Sequence, residues 1–305
     1  MNAEDLAYAL GAKRSGRQWK CRCVAHEDSN PSMIIFDGRE AVQVRCMAGC
    51  EPQDIIAVLR SRGLWEGSEQ QETPEPVKRE RSLKEQQREQ RMRILARGIF
   101  DEAKPILGTV AERYFDSRDL LSVARMITDI RFHPRCPRGS GDHYREQPAV
   151  VIAMRSITTN AVTAIQRIFL TRQARKDGAM MLGSAGGAAM KLQLLQNHSL
   201  HVCEGVETGL AILAMDYGPV WALGSAVAVE NFPLLDTVDD LTIWADTLDT
   251  VNPHTGKRPG EDAAAKCARR WSAAGKDGRT FLMENNRGLV RADAADMWRS
   301  RNGRV

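Results

Sequence analysis

Two groups of residues in this 305-residue chain have the types and spacing to do chemistry. The first is Cys23-x2-His26 with Cys46-x3-Cys50: three thiolates and one imidazole, the closed tetrahedral ligand set of a structural zinc site. On a strand Cys21 points the same way as Cys23 but lies too far along to share one tetrahedron with all the others; Cys23 is the expected ligand on its CxxH spacing, with Cys21 as the alternative to it. The second group is acidic: Glu204, Asp246, Asp249, and the pair Asp293 and Asp296. Carboxylates gathered in one place repel unless a divalent cation offsets them, and oxygen-only ligands suit Mg2+ or Mn2+ better than zinc.

Both groups need elements that bring them together. Met33-Ile34-Ile35-Phe36 and the alternating Val42 and Val44 flank Asp37-Gly38, which predicts a hairpin with a tight turn of positive φ. That hairpin would set the Cys23/His26 end beside Cys46 and Cys50, with Gly49 easing the last turn. A helix is expected over Pro52–Arg62, with Ile55, Ile56, Val58 and Leu59 on one side. For the acids, strands are expected at Ser199–Cys203, Val220–Leu223, Leu241–Ala245 and Thr280–Met283. Helices are expected at Thr208–Asp216 and Glu261–Ala274. Such alternation implies a parallel sheet, whose ligand sites lie at the carboxyl ends of the strands, where Glu204 and Asp246 fall. Asp293 also fits the N-cap of a helix containing Met297 and Trp298.

Between the two groups, Glu66–Val77 has no apolar periodicity and reads as a flexible tether. Lys78–Arg97 sets eight basic residues against three acidic ones. It fits a salt-bridged surface helix or a strip that follows nucleic acid phosphates, and both readings stay open. Phe100–Ser122 is expected to be helical, with Ile106, Val110, Tyr114 and Leu121 apolar. Strand-like runs follow at Ile130–Pro134, Ala149–Met154 and Ala164–Leu170. The glycine-rich Gly183–Gly187 lacks the Gly-Lys-Ser/Thr of a P-loop, so any helicase is expected on a separate chain. A hydrophobic share of 43%, a charged share of 27% and a net charge of +4 describe an ordinary globular protein. No apolar run approaches the roughly 20 residues of a membrane span, so a cytoplasmic chain with reduced thiols is expected. The modest charge permits nucleic acid binding if it is concentrated on one face.

The front segment resembles the zinc ribbon of phage- and plasmid-type DNA primases, on Cys23-Val24-Ala25-His26, Asn30-Pro31-Ser32 and Cys46-Met47-Ala48-Gly49-Cys50. Ala111, Tyr114, Phe115 and Arg118, then Arg167-Ile168-Phe169-Leu170 and Lys191, resemble that family's polymerase subdomain. The acidic region resembles the Toprim fold on Glu204-Gly205, on Glu207-Thr208-Gly209, and on a D-x-x-D at Asp293 and Asp296. Its middle motif departs from the family pattern: Asp246-Thr247-Leu248-Asp249 has one extra residue between its acids. Asn252–Gly260 resembles an insertion of a phage branch.

The resemblance implies an α/β architecture in four parts. These are a zinc-ribbon template-binding domain at 1–65, a tether and basic helix at 66–97, a mixed α/β polymerase subdomain at 98–197 and a Toprim catalytic subdomain with a Rossmann-like parallel sheet at 198–305. It further implies a mobile-element DNA primase, a nucleotidyltransferase making short RNA primers on single-stranded DNA from ribonucleoside triphosphates. Glu204, Asp246 and Asp249 would be catalytic; with Asp293 and Asp296 they would hold Mg2+ or Mn2+. Arg118, Arg167, Lys176 and Lys191 would meet nucleotide phosphates or template, and a separate replicative helicase would be a partner. A catalytically altered single-stranded-DNA-binding accessory protein and a Toprim-type nuclease are the alternatives.

Overall fold

The amino terminus folds because its polar residues close the ends of its elements. In a computed structural model of the chain, helix α1 (Ala3–Ala9) starts in a capping box: the Asn2 side chain accepts from the Asp5 amide, and Asp5 accepts from the Asn2 amide. The structure describes residues 2–16, 18–28, 31–38, 41–65, 75–139, 141–245, 258–282 and 298, without side chains at 75–82 and 142. The described residues fall into two compact units that divide between Leu83 and Lys84.

The first unit is a four-stranded antiparallel sheet in the order β1 (Lys13–Ser15), β2 (Gln18–Cys21), β3 (Met33–Asp37), β4 (Val42–Cys46). Met33 and Ile35 on β3 and Val42, Val44 and Cys46 on β4 turn alternately inward. They meet Leu6 of α1 and Ile55 and Leu59 of helix α2 (Pro52–Ser61) in a small core. The expected tight Asp-Gly turn does not form. Asp37 is the last ladder residue, paired with Val42, and the Gly38 amide donates to the Ala41 carbonyl at 2.9 Å. Asp37 has other work, since its Oδ1 accepts the Ala3 amide at 2.8 Å and ties α1 to the sheet.

Helix α3 (Glu75–Glu102), which contains the division between the units and belongs to the second from Lys84 onward, takes in the basic stretch and the last three residues of the expected tether. Among its described side chains, the buried ones lie at its carboxyl-terminal end: Ala96, Ile99 and Phe100. The helix expected over Phe100–Ser122 is interrupted. Pro105 supplies no amide proton, Gly108 has φ of +73°, and Thr109 caps a new short helix α4 (Val110–Asp116), followed by α5 (Leu121–Ala124).

Strands β5 (Ile130–Arg138), β6 (Arg145–Ser156), β7 (Val162–Leu170) and β8 (Lys176–Gly183) form an antiparallel meander. Next come β9 (Ala188–Lys191), β10 (Ser199–Cys203), helix α6 (Val206–Ala214), β11 (Val220–Ala222), helix α7 (Ala226–Glu230), β12 (Asp240–Ala245), helix α8 (Pro259–Ala273) and β13 (Asp277–Leu282). All belong to one nine-stranded sheet, running β13-β12-β10-β11-β9-β6-β7-β8 with β5 on the other side of β6. β13, β12, β10 and β11 are mutually parallel, and β9 pairs antiparallel with both β11 and β6, joining the two styles of sheet. Both faces are covered. On β6, Val150, Ile152 and Met154 pack beneath α4 and α6, while Ala149, Val151 and Ala153 pack against α3.

Candidate functional site

The four expected zinc ligands come together. The Sγ atoms of Cys23, Cys46 and Cys50 and a ring nitrogen of His26 lie within 4.8 Å of one another, and His26 Nδ1 is 3.1 Å from Cys50 Sγ. A tetrahedral zinc with three sulfurs needs ligand separations of roughly 3.8 Å, so a slight contraction closes the site and these residues fit a structural metal ion. Gly49, with φ of +97°, makes the bend that returns Cys50 to the cluster. Cys21 is buried but stands outside the group. Burial, and next the Cys23 charge, push the Cys50 thiol up to about 12; a bound cation would reverse that preference and hold the thiolates.

Asp28 was not singled out by sequence reasoning, yet it organises this centre. Its Oδ2 accepts from the Cys23 amide at 2.7 Å and from the Ser32 amide and hydroxyl at 3.0 and 2.6 Å. Its Oδ1 lies 3.7 Å from His26 Nε2, opposite the nitrogen that faces the sulfurs. At 3.7 Å this is longer than a hydrogen bond, and a closing movement of less than about 1 Å would make the carboxylate–imidazole–metal arrangement that orients a ligating ring. An acid two residues after a liganding histidine was the available signal.

Beside the Cys-His-Cys-Cys cluster lies a cleft of about 700 Å3 lined by the turn after α1, the first hairpin, the segment 22–26 and the residue after α2. Lys13, Arg14, Lys20, Arg22 and Arg62 line it, together with His26, and among the described residues no carboxylate does. The Arg14 guanidinium sits over the Trp19 ring, 5.6 Å from its centroid.

In the second unit, Glu204 follows the last residue of β10, where the parallel strands end. Its backbone carbonyl accepts the Gly224 amide at 2.8 Å, which joins it to the end of β11. One turn into α6, Glu207 is the focus of a denser cluster. The Tyr114 hydroxyl donates to Glu207 Oε1 at 2.6 Å, Arg118 Nε is 3.2 Å from the same oxygen, and Lys176 Nζ donates to Oε2. The Arg118 guanidinium lies over the Tyr114 ring at 4.8 Å. Burial by itself would raise the Glu207 carboxyl; Lys176, then the Tyr114 hydroxyl and Arg118, outweigh it and hold the group below the usual carboxylate range. Burial and then Glu207 push the Tyr114 phenol well up, so it stays a donor.

Two of the four expected phosphate-facing cations, Arg118 and Lys176, therefore meet at one carboxylate. The other two stand elsewhere. Arg167 on β7 is buried and donates to the carbonyls of Pro137 at 2.7 Å and Met181 at 3.4 Å. Lys191 on β9 lies 4.6 Å from the Trp221 ring centroid and donates to Asn160 Oδ1 at 3.1 Å; burial lowers its pKa. Asp246, Asp249, Asp293 and Asp296 lie outside the described residues.

Known families match both parts of this second unit. Residues 90–192 match a family described as a domain of unknown function, DUF7146. Residues 199–303 match the Toprim domain family, and β10 with Glu204 opens that match. Residues 199–303 are a Toprim domain. No curated protein matches the chain. Among solved structures, a DNA primase domain from Pseudomonas aeruginosa is 14% identical with a TM-score of 0.47, covering 68% of this chain and 74% of that one. The zinc-binding and RNA polymerase domains of the Aquifex aeolicus primase are 12% identical at 0.47, covering 98% and 80%. The E. coli primase catalytic core is 16% identical at 0.45, covering 70% and 75%.

Within the Toprim domain, what sequence reading missed is the company Glu207 keeps. Glu207 was read only as a continuation of the Glu204-Gly205 motif. Its partners come from α4, the turn after it, and β8, and nothing local in the sequence links those positions.

Proposed function

We propose that the chain is a DNA primase, making short RNA primers on single-stranded DNA by metal-dependent nucleotidyl transfer. The observation that carries this reading is a Toprim domain, with Glu204 at the end of its first strand, in one chain with a four-ligand Cys-His-Cys-Cys ribbon. A zinc ion would be held by Cys23, His26, Cys46 and Cys50, and a divalent cation by Glu204 with Asp246 and Asp249. Bound there, the divalent cation would lower the pKa of the attacking 3′-hydroxyl and offset charge on the leaving pyrophosphate. The residues themselves position: no side-chain nucleophile is called for, and the work is alignment and charge. The ribbon would hold template backbone in the cleft of Lys13, Arg14, Lys20, Arg22 and Arg62, where five cations favour phosphates. Ribonucleoside triphosphates as substrates, a replicative helicase as partner and service to a mobile element belong to the same proposal.

The test is primer synthesis from labelled ribonucleotides on single-stranded DNA, with Mg2+ or Mn2+. Wild-type chain should yield short products, and Glu204→Ala should lose them by about a hundredfold or more, as removal of a transition-state charge stabiliser does. DNA binding without product under either metal, with or without a helicase added, would replace this reading with that of an accessory binding protein.

A further inference from the structure

The Toprim domain presents two glutamates within one turn, Glu204 at the end of β10 and Glu207 on α6, and either has the chemistry of a Mg2+ ligand. Their surroundings separate them. Both oxygens of Glu207 are engaged: Oε1 by the Tyr114 hydroxyl at 2.6 Å and Arg118 Nε at 3.2 Å, Oε2 by the Lys176 ammonium. A carboxylate that accepts from a phenol and two cations offers a poor face to a third cation.

Depth orders the cluster. The Glu207 side chain is 19% exposed, Arg118 28% and Lys176 37%, and the Tyr114 ring is buried beneath Arg118. An anion arriving from solvent meets the two cations before it meets the carboxylate. Two cations against one carboxylate leave a net charge of +1 at the mouth. The cations also come from separate pieces of chain, Arg118 from the turn after α4 and Lys176 from the first residue of β8. The α6 carboxylate holds them side by side.

We infer that Glu207 is a positioning residue and not a metal ligand: it holds Arg118 and Lys176 as a paired seat for the polyphosphate tail of a nucleotide, which competes with the carboxylate for the same two cations. The inference rests on the primase reading for the nucleotide's role in catalysis, but polyphosphate binding can be measured without catalysis. Arrival of the tail shifts Arg118 and Lys176 from carboxylate to phosphate oxygens, and Tyr114 keeps its hydrogen bond to Glu207. The seat is thus neutralised when empty and aligned when filled.

The experiment titrates the full-length, zinc-loaded chain with inorganic tripolyphosphate by calorimetry, without added Mg2+, in wild type, Glu207→Gln, Lys176→Met and the double variant. Glutamine keeps size and can still accept from Tyr114, so folding is expected to survive; thermal melting checks it. Glu207→Gln should bind tripolyphosphate about five- to tenfold more tightly, close to what one unit charge at ion-pair distance is worth in water. Lys176→Met should bind more weakly than wild type. In the double variant the gain from glutamine should shrink, because without Lys176 the carboxylate has one cation fewer to withhold from the phosphate. Mg2+ binding, titrated separately, should not change in Glu207→Gln. Unchanged or weaker tripolyphosphate binding in Glu207→Gln, no binding in any variant, or a loss of Mg2+ affinity would each overturn the inference. Failure of primer synthesis with the tripolyphosphate pattern intact would count against the primase reading and leave the seat standing.

Discussion

Asp28 takes three hydrogen bonds through one oxygen and faces the His26 ring with the other, so a residue that touches no metal sets the geometry of two ligands. Replacing it should loosen the site while leaving the ligand set intact. Asp28→Ala is expected to weaken zinc affinity by about 10- to 100-fold, measured by competition with a chromophoric chelator; an affinity equal to wild type would show that the cluster orients itself. Glu207 gives a pH effect of definite sign. Its folded carboxyl titrates below the ordinary range, so folding favours the charged form. The stabilisation is complete above the unfolded carboxylate value, about 4.3, and is lost as pH falls through the lower folded value. Urea midpoints measured down through the acid range should therefore fall more steeply in wild type than in Glu207→Gln. Parallel curves would mean that the cluster contributes nothing net to folding.

At the scale of elements, the placement of Glu204 depends on how closely α6 lies on its strands. Gly209 allows that approach: a Cβ there would stand 2.7 Å from Leu192 Cδ1, 3.3 Å from Cys203 Sγ and 3.4 Å from Val220 Cγ1. Gly209→Ala should push the helix away from β10 and β11 at a cost of about 1–3 kcal/mol, read from chemical unfolding, with primer synthesis falling alongside. An unchanged midpoint would show that Leu192 yields freely. Strands β10, β11 and β12 and helices α6 and α8 were legible because each buries apolar side chains; α7 was not expected, and β13, largely exposed, starts three residues before the expected strand. The stretch from Phe100 to Ser122 was not legible. Its apolar spacing suits a helix, but Pro105, Gly108 and the Thr109 cap decide locally against continuity. At Asp37-Gly38 the turn signal was overridden by tertiary structure, because Asp37 remains in the ladder and accepts the first amide of α1.

Over the whole molecule, the two units have separate cores of unequal size. The ribbon buries a handful of side chains around Met33, Ile35, Ile55 and Leu59, whereas the nine-stranded sheet is packed on both faces. A core that small would draw much of its stability from a metal held by the Cys-His-Cys-Cys cluster. Chelation should unfold the ribbon and leave the sheet folded, seen as protease cleavage within residues 2–65 while the fragment from Lys84 onward persists. Cooperative loss of both parts would contradict this. The Cys-His-Cys-Cys cluster was legible in the sequence because Cys23-x2-His26 and Cys46-x3-Cys50 are local spacings, each half needing only one strand or turn to be placed. The Toprim acid Glu204 was legible for a related reason, since strand-to-helix alternation puts a strand's last residue at the sheet's carboxyl edge wherever that strand lies. What tertiary structure alone decided is which distant groups meet. Asp37 reaches α1, and Glu207 gathers Tyr114, Arg118 and Lys176 from segments up to 93 residues away. The paired seat is a contact across the sheet and its helices, and no periodicity along the chain encodes a contact between segments that only packing brings together.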